Sequence, residues 1–253
     1  QEGGTLSIVD SAITGSEGYA ARVEADSARN VSGNTFAGNG IDRLLVKGGY
    51  ALVTGTWNNS NIMDAYELEG NVTVHEGATL TIAPGATIMA RDGVGLLVEG
   101  DLAAVGTESE PILFTSTADS GPGQWAGLRF DGYTNDADGL LEYVTVRYGG
   151  DANDGVYANV SARNDPSHVT IRHSQIYSST SASAADYGFL NTGAHVVISE
   201  TLIADSGEVG VYQEGGTLSI VDSAIAGSEG YAARVDANDA QNVSGNTFTG
   251  NGV

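Results

Sequence analysis

An all-β solenoid is the fold class this sequence predicts, and three observations predict it. A long internal repeat comes first: residues 1–41 recur as residues 213–253 with seven differences in 41 positions, among them Thr14 against Ala226 and Arg29 against Gln241. Next, a shorter period of 22 to 27 residues runs inside the long one. The third is composition, with 36 Gly against 4 Pro and no Cys. Glycine without proline suits many tight turns between short strands, not a collagen or a proline-rich linker. Self-similarity at a fixed period is the mark of a repeat architecture, so the repeat decides the fold class.

In chain order, the first copy reads QEGGTLSIVDSAITGSEGYAARVEADSARNVSGNTFAGNGI, and the second lies 212 residues later. Residues 1–253 then read as a single solenoid, with 42–253 as one 212-residue period of a tandem array. Gln1 is not an initiator Met, so the natural start is expected elsewhere. Lys47 follows in LLVKGG and is the only lysine. From residue 67 the chain alternates apolar and polar residues, as in GATLTIAPGATI, which marks strands with one buried face.

Further on, Leu218–Ile225 aligns with Val196–Ile203, Val169–Ile176 and Leu141–Tyr148, and Val243–Phe248 fits the same frame. Two columns stay large and apolar in this alignment: Tyr143, Ile171, Ile198, Ile220 and Val243, then Tyr148, Ile176, Ile203, Ile225 and Phe248. Between the columns a small polar pair such as Asp222-Ser223 breaks the alternation and predicts a bend. Strand, bend, strand and loop, repeated at this spacing, is a coil of a parallel β-helix. Helical repeats would need apolar residues at i, i+3 and i+4 over a dozen positions, and none are present. A β-sandwich would not hold one register through successive coils. Stacked coils put like side chains above one another, which is what the columns do. At roughly 23 residues per coil, one period makes about nine coils and rises roughly 43 Å at a strand spacing of about 4.8 Å.

Residues 67–150 carry a more specific likeness in the GATLTIAPGATI coil, the GLLVEGDLAAVGT coil, the EPILFTS strand and Trp125 in QWAGLRF. This stretch resembles the right-handed parallel β-helix repeat proteins of the pectin-lyase-like superfamily, secreted to bacterial and archaeal cell surfaces and often of tandem-repeat type. The resemblance implies a right-handed parallel β-helix. It does not single out an activity, because that scaffold serves lyases, hydrolases, adhesins and inert stalks.

Charge narrows the partners. Ten Lys plus Arg against 32 Asp plus Glu give a formal net charge of −22. Such a surface repels nucleic acid and anionic lipid and attracts cations. No run of 18 apolar residues exists, so no membrane span is expected. With no cysteine, neither a disulfide nor a thiolate metal site is available.

The candidate chemistry is sparse. By the resemblance, a lyase would use a basic residue beside calcium-binding carboxylates, yet Lys47 is remote in sequence from any acid cluster. The paired-Asp, GHG-like and RIK-like motifs of the related hydrolases are absent. His168 and His195 share a column and would stack on adjacent coils, either as a metal pair or as exposed ladder residues. Trp125, Tyr143 and Tyr148 are expected in the core columns. The acidic runs Asp151-Ala-Asn153-Asp154-Gly155 and Asn135-Asp136-Ala-Asp138-Gly139 set oxygen ligands at close spacing, which is what calcium takes. The alternative is a solvated acidic turn. The candidate metal ligands are thus Asp151, Asn153, Asp154, Asn135, Asp136 and Asp138, with Ca2+ the ion and no cofactor required.

The function expected is structural: a segment of a long extracellular surface protein, non-enzymatic, self-associating end to end or side by side. A carbohydrate-binding adhesin docking surface glycans is the rival, and a polysaccharide lyase the third.

Overall fold

The computed structural model describes residues 4–58, 65–132, 137–150, 156–165, 167–179 and 186–252. Short strands dominate, and the chain winds them into a parallel β-helix of about nine turns. Each coil visits three faces in a fixed order. The first face holds Gly49–Ala51, Val72–Val74, Gly95–Val98, Gly127–Asp131, Ala158–Arg163 and Tyr231–Arg234. Gly55–Trp57, Thr79–Ile82, Asp101–Val105, Gly139–Glu142, His168–Arg172 and Val243–Ser244 lie on the second. Two long strands, Tyr187–Ser199 and Val209–Val221, run across the corner and join these faces into one 14-stranded sheet. The third face is a 10-stranded sheet that climbs from Tyr19–Val23 through Ile41–Val46 and Tyr66–Leu68 to Ala224–Ala226 and Thr247–Thr249. Every pairing is parallel, as a solenoid requires.

Local sequence explains the coils. In Thr79–Ile82 and Thr87–Ala90 the inward residues Leu80, Ile82, Ile88 and Ala90 are buried, while Thr79, Thr81, Thr87 and Met89, which alternate with them, are half-exposed. Gly77, Gly85 and Gly93 take φ of +76°, +72° and +68° at the corners, with backbone bonds closing over them from Ala78 to His75, Ala86 to Ala83 and Val94 to Arg91. A β-carbon disfavours that left-handed backbone, so glycine marks these turns. Inward side chains merge into one core reaching from Ala20 to Ile225, with Trp57, Phe114, Trp125, Phe130 and Phe189 fully enclosed.

Two column members need correction. Ile171 pairs with Leu141, not Tyr143, and Ile176 pairs with Val146, not Tyr148. The columns run Leu141–Ile171–Ile198–Ile220–Val243 and Val146–Ile176–Ile203–Ile225–Phe248, buried up to their last members, Val243 and Phe248. A slip of two residues keeps every side chain on its own face, so alternation alone does not detect it. Tyr143 and Tyr148 have φ of +50° and +64° and turn the corners at the strand ends, half-buried. Trp125 is in the core as expected, its Nε1 donating to the Arg147 carbonyl at 2.7 Å.

Candidate functional site

The side chains that link one coil to the next form three lattices, and the first of them arises where the strand ladder is interrupted. At the corner between the second and third faces, Tyr143, His173, Glu200 and Asp222 all take φ near +50°. The bend leaves the next backbone N–H groups without a ladder acceptor, and a buried N–H needs one. Side chains supply it. Ser174 Oγ accepts from Val144 N at 3.1 Å, and Thr201 Oγ1 from Ser174 N at 3.4 Å. Ser223 Oγ then accepts from Thr201 N at 3.2 Å, and Asn246 Oδ1 from Ser223 N at 2.8 Å. These are the small polar residues read as bend markers in the sequence.

On the third face the lattice is charged. Glu67 is only 3 % exposed. It accepts from Tyr19 Oη at 2.6 Å, Arg43 Nη1 at 3.1 Å and Arg91 Nε at 3.0 Å. Arg91 also donates to Tyr19 Oη at 3.0 Å and to Glu69 Oε1 at 3.0 Å, and Arg22 pairs with the other Glu69 oxygen. Burial pushes the Tyr19 phenol up, as does its bond to Glu67. Burial would lower the Arg91 guanidinium, but its bonds to Tyr19 and Glu67 outweigh that and hold it higher. The Arg22 bond draws the Glu69 carboxyl down. Higher on the face, Arg147 bridges Asp119 at 2.5 and 2.9 Å and donates to Tyr177 Oη at 2.9 Å. Burial alone would raise Asp119, but the Thr115 and Arg147 bonds pull it below the usual carboxylate range.

The Glu67 lattice corresponds to no sequence motif. Arg43, Glu67 and Arg91 stand 24 residues apart, one coil each. Opposite charges recurring at the coil period were its signal.

On the second face, His168 and His195 stack with ring centroids 5.0 Å apart, as the shared column predicts. His195 meets Thr217 Oγ1 at 2.8 Å and Asp165 at 3.0 Å, and His168 lies 3.5 Å from Asp138. Among the described residues, no group of three or more His, Asp or Glu is arranged to hold a metal ion. Of the predicted calcium ligands, Asp151, Asn153, Asp154, Asn135 and Asp136 lie outside the described residues. Asp138 faces solvent, and its backbone N–H bonds Asp101 Oδ1 at 3.3 Å.

Lys47 Nζ pairs with Glu24 at 2.6 Å. A hollow of about 170 Å³ on the first face is lined, among the described residues, by Asn71, Thr73, Leu97, Ala126, Arg129 and Val156, none of them a carboxylate. Asn159, in the sequence Asn-Val-Ser, is fully buried, its Oδ1 accepting from Gly149 N at 2.7 Å, so its role is internal.

The two ends of the stack are the remaining candidate surface. In the first copy Phe36 is enclosed and Tyr19 half-buried. Their counterparts in the second copy, Phe248 and Tyr231, are 49 % and 53 % exposed. The order reverses for the lower residues: Leu218, Ile220 and Ile225 are buried, while Leu6, Ile8 and Ile13 are only partly covered. Each end therefore exposes the residues that the other end covers with a neighbouring coil.

Residues 55–156 match the family described as a pectate-lyase-like beta helix domain. Neither a curated protein nor a solved structure matches the chain.

Proposed function

We propose, for a chain whose residues 55–156 match a pectate-lyase-like β-helix domain, that it is a structural segment of a long, repetitive extracellular surface protein. The observation that carries this reading is the complementary burial of the two copies. The same sequence packs under a coil in the first copy and on top of a coil in the second, so it accepts a neighbouring coil on both sides. A solenoid repeat without its neighbour leaves apolar side chains and strand edges in water, and the next repeat is the natural cover. The mechanism is mechanical: continuous parallel ladders give length and stiffness, the corner and charged lattices fix coil on coil, and the acidic surface keeps neighbouring rods apart in solution.

Electron microscopy of the native material tests it. Long fibres with a regular axial period are expected, and short rods that never extend would overturn the reading. Calcium at the acidic loops is a separable part of the proposal. Fibres or bundles that dissolve on adding a chelator support it, and indifference to chelator removes calcium while leaving the array in place.

A further inference from the structure

The two copies lie on different faces, and this fixes how one period would follow another if the array reading holds. Tyr19–Val23 is on the third face, directly beneath Ile41–Val46 and Tyr66–Leu68. Its sequence twin begins at Tyr231, and Tyr231–Arg234 is on the first face, resting on Val209–Val221. Climbing the third face from Tyr19–Val23 to Ala224–Ala226 takes eight steps. Tyr231–Arg234 is the next strand along the chain, one corner further round. A 212-residue period is therefore eight coils and one strand, not a whole number of coils.

We infer that the exposed strand Tyr231–Arg234 is the seat for the next period, whose counterpart of Ile41–Val46 pairs along it as Ile41–Val46 itself pairs along Tyr19–Val23. The partner is a further copy of residues 42–253, identified by its own sequence. At this seat the next period's counterparts of Glu67 and Arg91 meet the Tyr231 hydroxyl, because Glu67 and Arg91 meet Tyr19 in the first copy. What is the first face below the junction continues as the third face above it. Every period is turned by one face, and three periods of eight and a third coils close on twenty-five.

The consequences are measurable. At about 4.8 Å per coil the axial rise is roughly 40 Å per period, and the true repeat is roughly 120 Å. A strip on one face, such as the His168–His195 stack, is then displayed on all three sides of the fibre within one true repeat.

The test is a two-period chain in which residues 42–253 are repeated after Val253, its structure solved by crystallography or electron cryomicroscopy. One continuous rod with the second period turned by a face, and Tyr231 covered as Tyr19 is, is the expected result. A continuous rod in which the new Tyr66–Leu68 strand lies in line with Thr247–Thr249 would overturn the face shift while leaving the array standing. Two separate rods would sink the array reading itself. A second readout does not depend on the map: Tyr231→Phe should leave the single-period chain unchanged and lower the melting midpoint of the two-period chain. No change in either chain refutes the seat.

Discussion

Residues 4–40 and 216–252 are nearly the same sequence in two positions, and the comparison separates what the letters dictate from what the neighbours dictate. The corners are identical. Asp10 and Asp222 take φ of +48° and +49°, and a β-carbon on Gly33 or Gly245 would strike the respective aspartate at 1.9 or 2.0 Å. Asn34 and Asn246 make the same pair of bonds, to Ser11 N and the Ile8 carbonyl in one copy and to Ser223 N and the Ile220 carbonyl in the other. The variable helical turn keeps its role as well. Ser27 Oγ accepts from Leu6 N, and its replacement Asp239 accepts from Leu218 N while also reaching Gln213. Burial is what differs. The first copy encloses its upper residues and the second its lower ones, because each has a coil on one side only.

The sharpest way to break this comparison is the phenylalanine pair. Phe36→Ala should cost about 3–5 kcal/mol, as for a fully buried ring, and Phe248→Ala under about 1 kcal/mol. Urea unfolding of both variants checks it, and equal losses would mean the two ends are covered alike. Smaller is Glu67→Gln, which leaves Arg43 and Arg91 without their shared carboxylate. Because both guanidiniums keep some water contact, about 2 kcal/mol is expected, at the low side of a buried pair. A variant as stable as the parent would show that the lattice only decorates the face.

Next come the asparagines, where the copies should agree. Asn34→Ala and Asn246→Ala should each lose about 1 kcal/mol. A difference beyond about 0.5 kcal/mol, the ordinary additivity error, would mean that the corner depends on its neighbours after all.

The smallest effect is set by pH. Asp119 has a folded pKa below its ordinary value of 3.8, so its contribution is present above that value and is lost as pH falls through the lower, folded one. Tyr19 runs the other way: its pKa is raised from 10.0, so its contribution is present below pH 10 and disappears as pH climbs through the folded value. Asp119→Asn should flatten the acid limb of a stability–pH curve and leave the alkaline limb alone, and Tyr19→Phe the reverse. An unchanged acid limb in Asp119→Asn would remove that aspartate from the account.

The fold was largely legible because a solenoid writes its contacts at one sequence interval. Ile171, Ile198 and Ile220 stand out as a column since each is the neighbour of the last in space. Tyr143 and Tyr148 were misplaced because a two-residue shift preserves the inside–outside rhythm, and only the positive φ of the corner residues shows where a strand stops. His168 and His195 could be foreseen as a stack, but their partners Asp138, Asp165 and Thr217 come from other loops and coils at irregular separations. Glu67 was overlooked because a single glutamate between Tyr66 and Leu68 looks like an outward residue, and its burial depends on Tyr19 two coils below and Arg91 one above.

The sequence by itself determined the coil: its period, its inward columns, its glycine turns and the hydroxyl or amide at each corner, all of which act within a few residues or one coil. Tertiary structure alone decided which copy of a residue is covered, which opposite charges meet, and on which face a strand lands. Those outcomes depend on how many strands lie between two points of the winding. A count of eight coils and one strand, rather than nine, moves Tyr231 to a different side of the rod from Tyr19 without changing a letter around it.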